Sequence, residues 1–318
     1  VALFPPSREV VSGNVGNDVQ ECAADAIRFL PAQMKQVILI HAHKDLDQLN
    51  TLVGQLCDDD FAIYVNLDRK SAIDPARLHP AARLVARRVD VRWGGFSQVQ
   101  AILNSLRQVV GELAGFDKVV FLSAQDFPLL PNERLKQELA RVAGKELLDT
   151  MPIGTKGWPV AFRYQYFYRE GGGRAERLAC ALANRALRLA GRTRRAPAGL
   201  ALYGGSSWWA LSRDCIRALL ARIDREPAIV RFFSTVLCPD EMFFQTLVMN
   251  SPWRERVLSQ NFRYVVWPAH GSRNPKVLDE ADFERIRASG AHFCRKLDSR
   301  LSAGLVARLI QLKQSRSA

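Results

Sequence analysis

The sequence predicts an α/β fold: a Rossmann-like, mostly parallel sheet with helices on both faces. Two observations carry the prediction. Between Val37 and Ala143, short β-branched or fully apolar runs take turns with segments of helical periodicity, in the order β-α-β-β-α-β-α and with short connections. Polar residues and glycines then gather just past each of the strand ends, where ligands lie in sheets of this kind.

Each element has its own signal. Val37 to Ile40 is a β-branched run, and Asp45 followed three residues later by Gln48 opens a helix with Leu46, Leu49, Leu52, Val53 and Leu56 on one face. Phe61 to Leu67 is a second strand, and Val89 to Val91 a third, shorter one. Ser97 with Gln100 makes a capping box for a helix carrying Val99, Ile102, Leu103, Leu106, Val109, Val110 and Leu113. Lys118 to Leu122 is a buried strand, and Asn132 caps the next helix. Gly171-Gly172-Gly173 and the Arg-rich run to Pro197 read as a loop and a basic amphipathic helix. LALYGGSSWWALS reads as strand, turn and strand. Ser212 caps a helix with Ile216, Leu219, Leu220 and Ile223, and Pro239-Asp240-Glu241 opens one with Phe243, Phe244, Leu247 and Val248. Phe262 to Trp267 is a strand, and Asp279 and Asp282 start a short helix before HFCRKLD.

A chain of 318 residues at 48% apolar and 24% charged is neither collagen-like, disordered nor a disulfide scaffold. Its longest apolar stretches run about ten residues, short of the roughly 20 that cross a bilayer. The start, VALFPPSREVV, lacks the apolar core of a secretory signal, and beginning at Val1 leaves an upstream segment open. The net charge of +13 is local: residues 160–197 hold nine Arg against two Glu, and residues 292–318 six Lys and Arg against one Asp. Such blocks suit an anionic ligand or surface, or else solvated helix faces. The six cysteines, Cys22, Cys57, Cys180, Cys215, Cys238 and Cys294, show no CxxC, and most read as small core residues in a reducing compartment.

The strings ILIHAHKD, YVNLDRKS, WGGFSQVQAILNSL, VFLSAQDFPL, GSSWWALSRD, PDEMFFQTLVMNSP, NFRYVVW and FCRKLD follow one another over residues 37–300. In that order they resemble the core-2/I-branching β-1,6-N-acetylglucosaminyltransferase family, glycosyltransferase family 14, which also includes the peptide O-xylosyltransferases. The resemblance implies a GT-A-type fold and an inverting, metal-independent transferase with a UDP-sugar donor. It divides the chain into an N-terminal arm (1–36), a catalytic domain (37–300) and a basic C-terminal helix (301–318). Within the domain, 37–145 is the nucleotide-binding half, 150–198 a basic insertion and 199–300 the acceptor and catalytic half.

The residues bear on that implication directly. A metal-dependent enzyme of this fold needs a DxD motif after a strand, so that two carboxylates hold the ion against the diphosphate. After Phe61 to Leu67 the chain has Asp68-Arg69-Lys70, with a cation in the second acidic place, while Asp58-Asp59-Asp60 precedes the strand and reads as a solvated loop. No metal or other cofactor is expected. Fixed cations must then stabilise the departing UDP. By resemblance these are Arg295 and Lys296, and Glu241 is the catalytic base that takes the acceptor proton. Its expected place in the first turn of a helix would keep it ionised.

Trp93 and Gly94 offer an aromatic wall beside closely approaching backbone; by resemblance Asp68 lies near the uridine and His41 lines the nucleotide pocket, and Lys70 joins them in the expected donor site. Alternation sends one of Trp208 and Trp209 to the core without deciding which; Trp208 is taken as the acceptor wall, and Asp240, Ser123 and Asp126 join it on the acceptor side. For Asp126 a structural role in holding the loop stands equally open.

The partners expected are the UDP-sugar, with GlcNAc preferred to xylose, and a glycan or lipid-linked saccharide acceptor. An anionic membrane surface would meet the basic segments. Eukaryotic members are Golgi type II membrane proteins with several disulfides, so this chain reads as a bacterial-type member, cytoplasmic and peripheral at the inner face of the membrane. A nucleic-acid-binding reading rests on the sequence pI of about 9.8. It finds no RNP, zinc-finger or helix-turn-helix signature, and no nucleic acid is expected.

Overall fold

The computed structural model describes residues 36–154, 157–171, 173–268 and 274–316. The expected N-terminal arm, with Cys22, lies outside the described residues apart from Gln36, as does Gly172. In chain order the elements are β1 (Gln36–Ala42), α1 (Leu46–Gln55), β2 (Phe61–Leu67), β3 (Ala82–Leu84), α2 (Ser97–Glu112), β4 (Lys118–Ser123), β5 (Asp126–Pro128), α3 (Asn132–Arg141), β6 (Glu146–Leu148) and β7 (Met151–Pro152). There follow α4 (Phe162–Gln165), α5 (Arg174–Leu189), β8 (Tyr203–Gly204), β9 (Trp209–Ser212), α6 (Arg213–Arg225), α7 (Pro227–Phe233), α8 (Phe243–Met249), β10 (Val257–Leu258), β11 (Arg263–Val265), α9 (Phe283–Ala288), β12 (Phe293–Arg295) and α10 (Ala303–Ser315).

The central sheet has the order β10-β6-β9-β4-β1-β2-β3. Strands β4, β1, β2 and β3 run parallel, and β9 runs antiparallel between β4 and β6. Period-two alternation assigns the two faces. Val37 and Leu39 of β1, Tyr64 of β2 and Phe121 of β4 point into a core with α2, α6, α7 and α8. Ile38, Ile40, Ile63, Val65 and Leu122 point the other way, against α1 and α3. Strands buried on both faces are the mark of a parallel sheet covered by helices.

A second sheet, β11-β12-β5, carries a third core with α9 and α10. Its antiparallel register sets Arg295 opposite Asp126 and Phe293 opposite Pro128. Strands β7 and β8 pair with each other.

Several expectations need correction. The third parallel strand is Ala82–Leu84, not Val89 to Val91. Residues 89–91 instead lie against the turn after β2, where Val89 O accepts from Arg69 N at 2.9 Å. Ser97 is the first residue of α2 rather than its cap: its N–H donates to Glu170 Oε2 at 2.9 Å, so a carboxylate from a distant segment closes the helix end. Asn132 likewise sits inside α3 and donates its amide to Cys57 O. LALYGGSSWWALS holds two strands as read, although they do not pair with each other: β8 pairs with β7 and β9 lies in the central sheet. Of Phe262 to Trp267 only Arg263–Val265 is strand. Three caps stand as read: Asp45 accepts from Gln48 N, Ser212 from Cys215 N, and Asp279 with Asp282 forms a capping box. Among the described cysteines only Cys215 and Cys294 are buried, and Cys57 is exposed.

Candidate active site

Parallel neighbours bring their carboxyl ends to one edge. His41 lies opposite Asn66 on one side and Ser123 on the other. The chain leaving β2 is tied back by Asp68 N to Ala42 O at 2.8 Å, and the chain leaving β4 by Ala124 N to His41 O at 2.9 Å. The Trp93–Gly94–Gly95 loop joins the same edge through Cys238 N, which donates to Gly94 O at 2.8 Å. Gly94 has a φ of +74°, which a side chain would strain.

One end of this edge is cationic. Asp126 is fully buried. Its carboxylate accepts from Ser123 N and from Ser123 Oγ, and it faces Arg295 Nε at 3.4 Å and Arg263 Nε at 3.8 Å. Both guanidinium groups lie over Trp208, Arg295 at 4.1 Å and Arg263 at 5.2 Å from the ring centroid. Burial lowers the pKa of each arginine, that of Arg263 to about 10. Lys296 is half-buried beside them, and its pKa is lowered by burial and by the neighbouring Arg295 and Lys44, with Asp298 the only opposing carboxylate. Backbone bonds stitch this loop to the end of β4, through Leu297 N to Gln125 O, and to the cap of α1, through Ser299 N to Asp45 Oδ2. Three cations gathered around one buried carboxylate leave an excess of positive charge that suits an anion.

The other end is a carboxylate. Glu241 closes a 3-10 turn, Pro239–Glu241, ahead of α8 rather than lying in the first turn of a helix. Its side chain is 19% exposed and pairs with Arg163 Nη1, whose own side chain is 1% exposed. Burial raises the Glu241 pKa to about 7; Arg163 pulls it down and Asp240 pushes it up. The expectation of an unperturbed ionised base is thus corrected, because desolvation outweighs the short helical turn. Asp240 accepts from Ser207 Oγ at 2.8 Å, and burial raises its pKa as well. Gly204 has no room for a side chain: a Cβ there would stand 2.6 Å from the Trp158 ring and 3.1 Å from Glu241 O. Consecutive residues Ser207 and Trp208 therefore join the two ends, one bonded to Asp240 and the other under Arg295.

The remaining expected donor residues line the same edge. His41 packs edge-on against Phe121 at 4.9 Å, and burial lowers its pKa to about 3, so the imidazole is neutral. Its Nε2 has no hydrogen-bond partner among the described residues. Asp68 is buried and binds its own turn, accepting from Lys70 N and pairing with Lys70 Nζ at 2.7 Å. Lys70 Nζ also reaches Asp90 at 3.1 Å, so an ammonium sits between two carboxylates. Trp93 is 58% exposed.

The expected site residues lie along this edge, and for Asp126 the contacts match the structural alternative. Asp126 is sealed from any acceptor and serves as counter-charge to Arg263 and Arg295, and Ser123 is its hydrogen-bond donor. The tryptophan pair divides as alternation requires, Trp209 in the core and Trp208 half-buried at the site. Sequence reasoning missed Arg163, Arg263 and Glu170. Arg163 stands in the aromatic run AFRYQYFY, and a lone cation among aromatic residues was its only local signal. Asp58 and Asp60 pair with Lys136 at 3.2 and 2.9 Å, away from the site, and no group of three or more metal-ligating side chains occurs among the described residues. A cavity of about 430 Å³ between the end of α1, the start of α3 and α10 has no connection to these groups.

Beyond the carboxyl ends of this mostly parallel α/β sheet lie an arginine-held carboxylate, Glu241, and a cation cluster around Asp126. The chain belongs to the Core-2/I-Branching enzyme family, whose sequence profile matches residues 38–287. It is similar to xylosyltransferase 2 of Canis lupus familiaris, 26% identical over 246 residues that cover 74% of this chain and 27% of that protein. The xylosyltransferase of Ciona intestinalis is 25% identical over 305 residues, covering 87% and 33%, and xylosyltransferase 1 of Mus musculus 26% over 279 residues, covering 84% and 27%. The chain thus spans about a third or less of the length of these relatives.

Proposed function

We propose that this chain transfers a sugar from a UDP-sugar to a hydroxyl of a glycan acceptor with inversion at the anomeric carbon. The observation that carries the reading is a partly exposed, arginine-held Glu241 whose neighbour Asp240 bonds Ser207, the residue before the Trp208 over which Arg295 lies. The acceptor oxygen attacks the anomeric carbon from the face opposite UDP, Glu241 takes its proton, and the bond from that carbon to the diphosphate oxygen breaks. Arg295, held by Asp126 and Trp208, and Lys296 beside it stabilise the charge that develops on the leaving diphosphate. His41, Asp68, Lys70, Trp93 and Gly94 surround the nucleotide and donor sugar, and Trp208, Asp240 and Ser123 border the acceptor.

Lys70 supports a metal-independent reaction, because its ammonium already compensates Asp68 and Asp90 where an ion would need free carboxylates. Family chemistry makes GlcNAc the first donor to test. The xylosyltransferase relatives favour UDP-xylose as the second reading. UDP release from a panel of UDP-sugars, with an oligosaccharide or lipid-linked acceptor pool, decides between them. Acceptor-stimulated release from one donor is expected, and no release from any, with no thermal stabilisation by UDP, would contradict the reading.

We also infer peripheral attachment to an anionic membrane, where a lipid-linked acceptor is found, at the cytoplasmic face. The support lies in α5, which buries none of its residues and presents Leu178, Leu182 and Leu189 among Arg174, Arg177, Arg185 and Arg188. The second basic block is no such surface: α10 buries Leu305, Leu309 and Lys313, and Arg308 lies over Phe283. No helix among the described residues is long and apolar enough to cross a membrane. Binding to phosphatidylglycerol vesicles that weakens with salt is expected, and a lack of binding at low salt would contradict the inference.

A further inference from the structure

Arg163 is the least expected residue at the site. It comes from α4, in a segment expected to serve only as a basic insertion, and its side chain is 1% exposed. A buried guanidinium needs compensation by a charge or by hydrogen-bond acceptors. Glu241 supplies the carboxylate, and the Trp158 ring lies 4.7 Å from the guanidinium carbon. The backbone makes the same connection: Leu237 N donates to Arg163 O at 3.0 Å, and Cys238 N, the next donor, to Gly94 O. The segment that brings the arginine is thus bound to the turn that brings the base.

We propose that Arg163 is the positioning residue of the base: it holds Oε2 of Glu241, turns Oε1 toward the acceptor, and compensates the charge of a carboxylate sunk beside Asp240. This rests on Glu241 being the base. The carboxylate nearest to Glu241 is Asp240, which bonds Ser207, and the nearby Cys238 thiol is neutral, its pKa raised by burial to about 12. Arg163 is therefore the cation that sets the charge balance of this turn. Burial alone pushes Glu241 toward the neutral form, which cannot accept a proton, and the arginine opposes that push.

The test is a titration that needs no knowledge of the donor or acceptor. Protein labelled with 13C at the glutamate carboxyl carbon, saturated with UDP, is followed by NMR, and the Glu241 signal is the one missing from Glu241→Gln. In Arg163→Met the Glu241 midpoint should rise by about one pH unit or more, and in Arg163→Lys by less, with UDP affinity unchanged in both. An unmoved midpoint in folded Arg163→Met would overturn the proposal. Should Arg163→Met fail to fold, the double variant with Glu241→Gln removes both partners. Recovery of a folded, UDP-binding protein supports the pair, and continued failure to fold assigns Arg163 to packing and overturns the proposal. The underlying reading is judged separately. Active Glu241→Gln would remove Glu241 as base, whereas inactive Glu241→Gln with an unmoved Arg163→Met titration would remove the positioning role alone.

Discussion

The two ends of the site set arginine beside a buried carboxylate, yet they do opposite things. At the cationic end Asp126 is sealed, faces two arginines and accepts from Ser123, and in the proposed reaction the carboxylate is scaffold while the cations meet the diphosphate. At the other end Glu241 faces Arg163 and stays 19% exposed, and in the proposed reaction the arginine is scaffold while the carboxylate takes the proton. The pairs share residue types and differ in exposure and in the number of compensating charges. Those two variables decide which member is held and which is free to react.

The strongest way to break the comparison is at the scaffold carboxylate. Asp126→Asn removes the carboxylate that Arg263 and Arg295 share, leaving Asp149 as the remaining negative charge near Arg263, and a loss of ~3–5 kcal/mol in stability, with loss of UDP binding, is expected from thermal denaturation and titration calorimetry. Glu241→Gln should do the reverse, keeping the fold and UDP binding while transfer falls by about 10²-fold or more. The pH dependence sharpens the contrast. Glu241, raised to about 7, must lose its proton to act, so kcat/KM should rise with pH through that region. The same shift has a stability consequence of opposite sign. A carboxyl whose folded pKa exceeds its unfolded value contributes stability below about 4.5 that is lost as pH rises to about 7. Wild type should therefore lose more stability than Glu241→Gln across that window, as measured by denaturant melts at several pH values. Trp208→Ala removes the ring under Arg295 and should weaken UDP binding about tenfold, with little change in the pH profile. The smallest effect on catalysis is expected from Leu178→Glu with Leu182→Glu on α5, which should leave transfer to a soluble acceptor unchanged and weaken vesicle binding.

Much of the fold was legible because periodicity and burial coincide in β1, α1, β2, β4 and α6. Each of those strands alternates between two cores, and each of those helices presents one apolar face. Where the sequence misled, tertiary pairing chose between equal local signals. Val89-Asp90-Val91 alternates better than Ala82-Arg83-Leu84, but only the latter meets β2 in register, while the former is taken up by the turn that holds Asp68 and Lys70. Ser97 and Asn132 have capping chemistry, yet Glu170 and a preceding proline fill those places. Motif resemblance pointed to Glu241 and Arg295, and alternation to one of Trp208 and Trp209, of which Trp209 is the core residue. Arg163 and Arg263 were not, because a buried arginine is fixed by a partner distant in sequence, here Glu241 and Asp126.

The most direct test of the account compares UDP release by wild type and Glu241→Gln, each with its preferred UDP-sugar and acceptor, with and without EDTA. The account predicts EDTA-resistant, acceptor-stimulated release by wild type and a loss of about 10²-fold or more in the variant, with UDP binding intact. Release that disappears with EDTA, or that persists in Glu241→Gln, would contradict it.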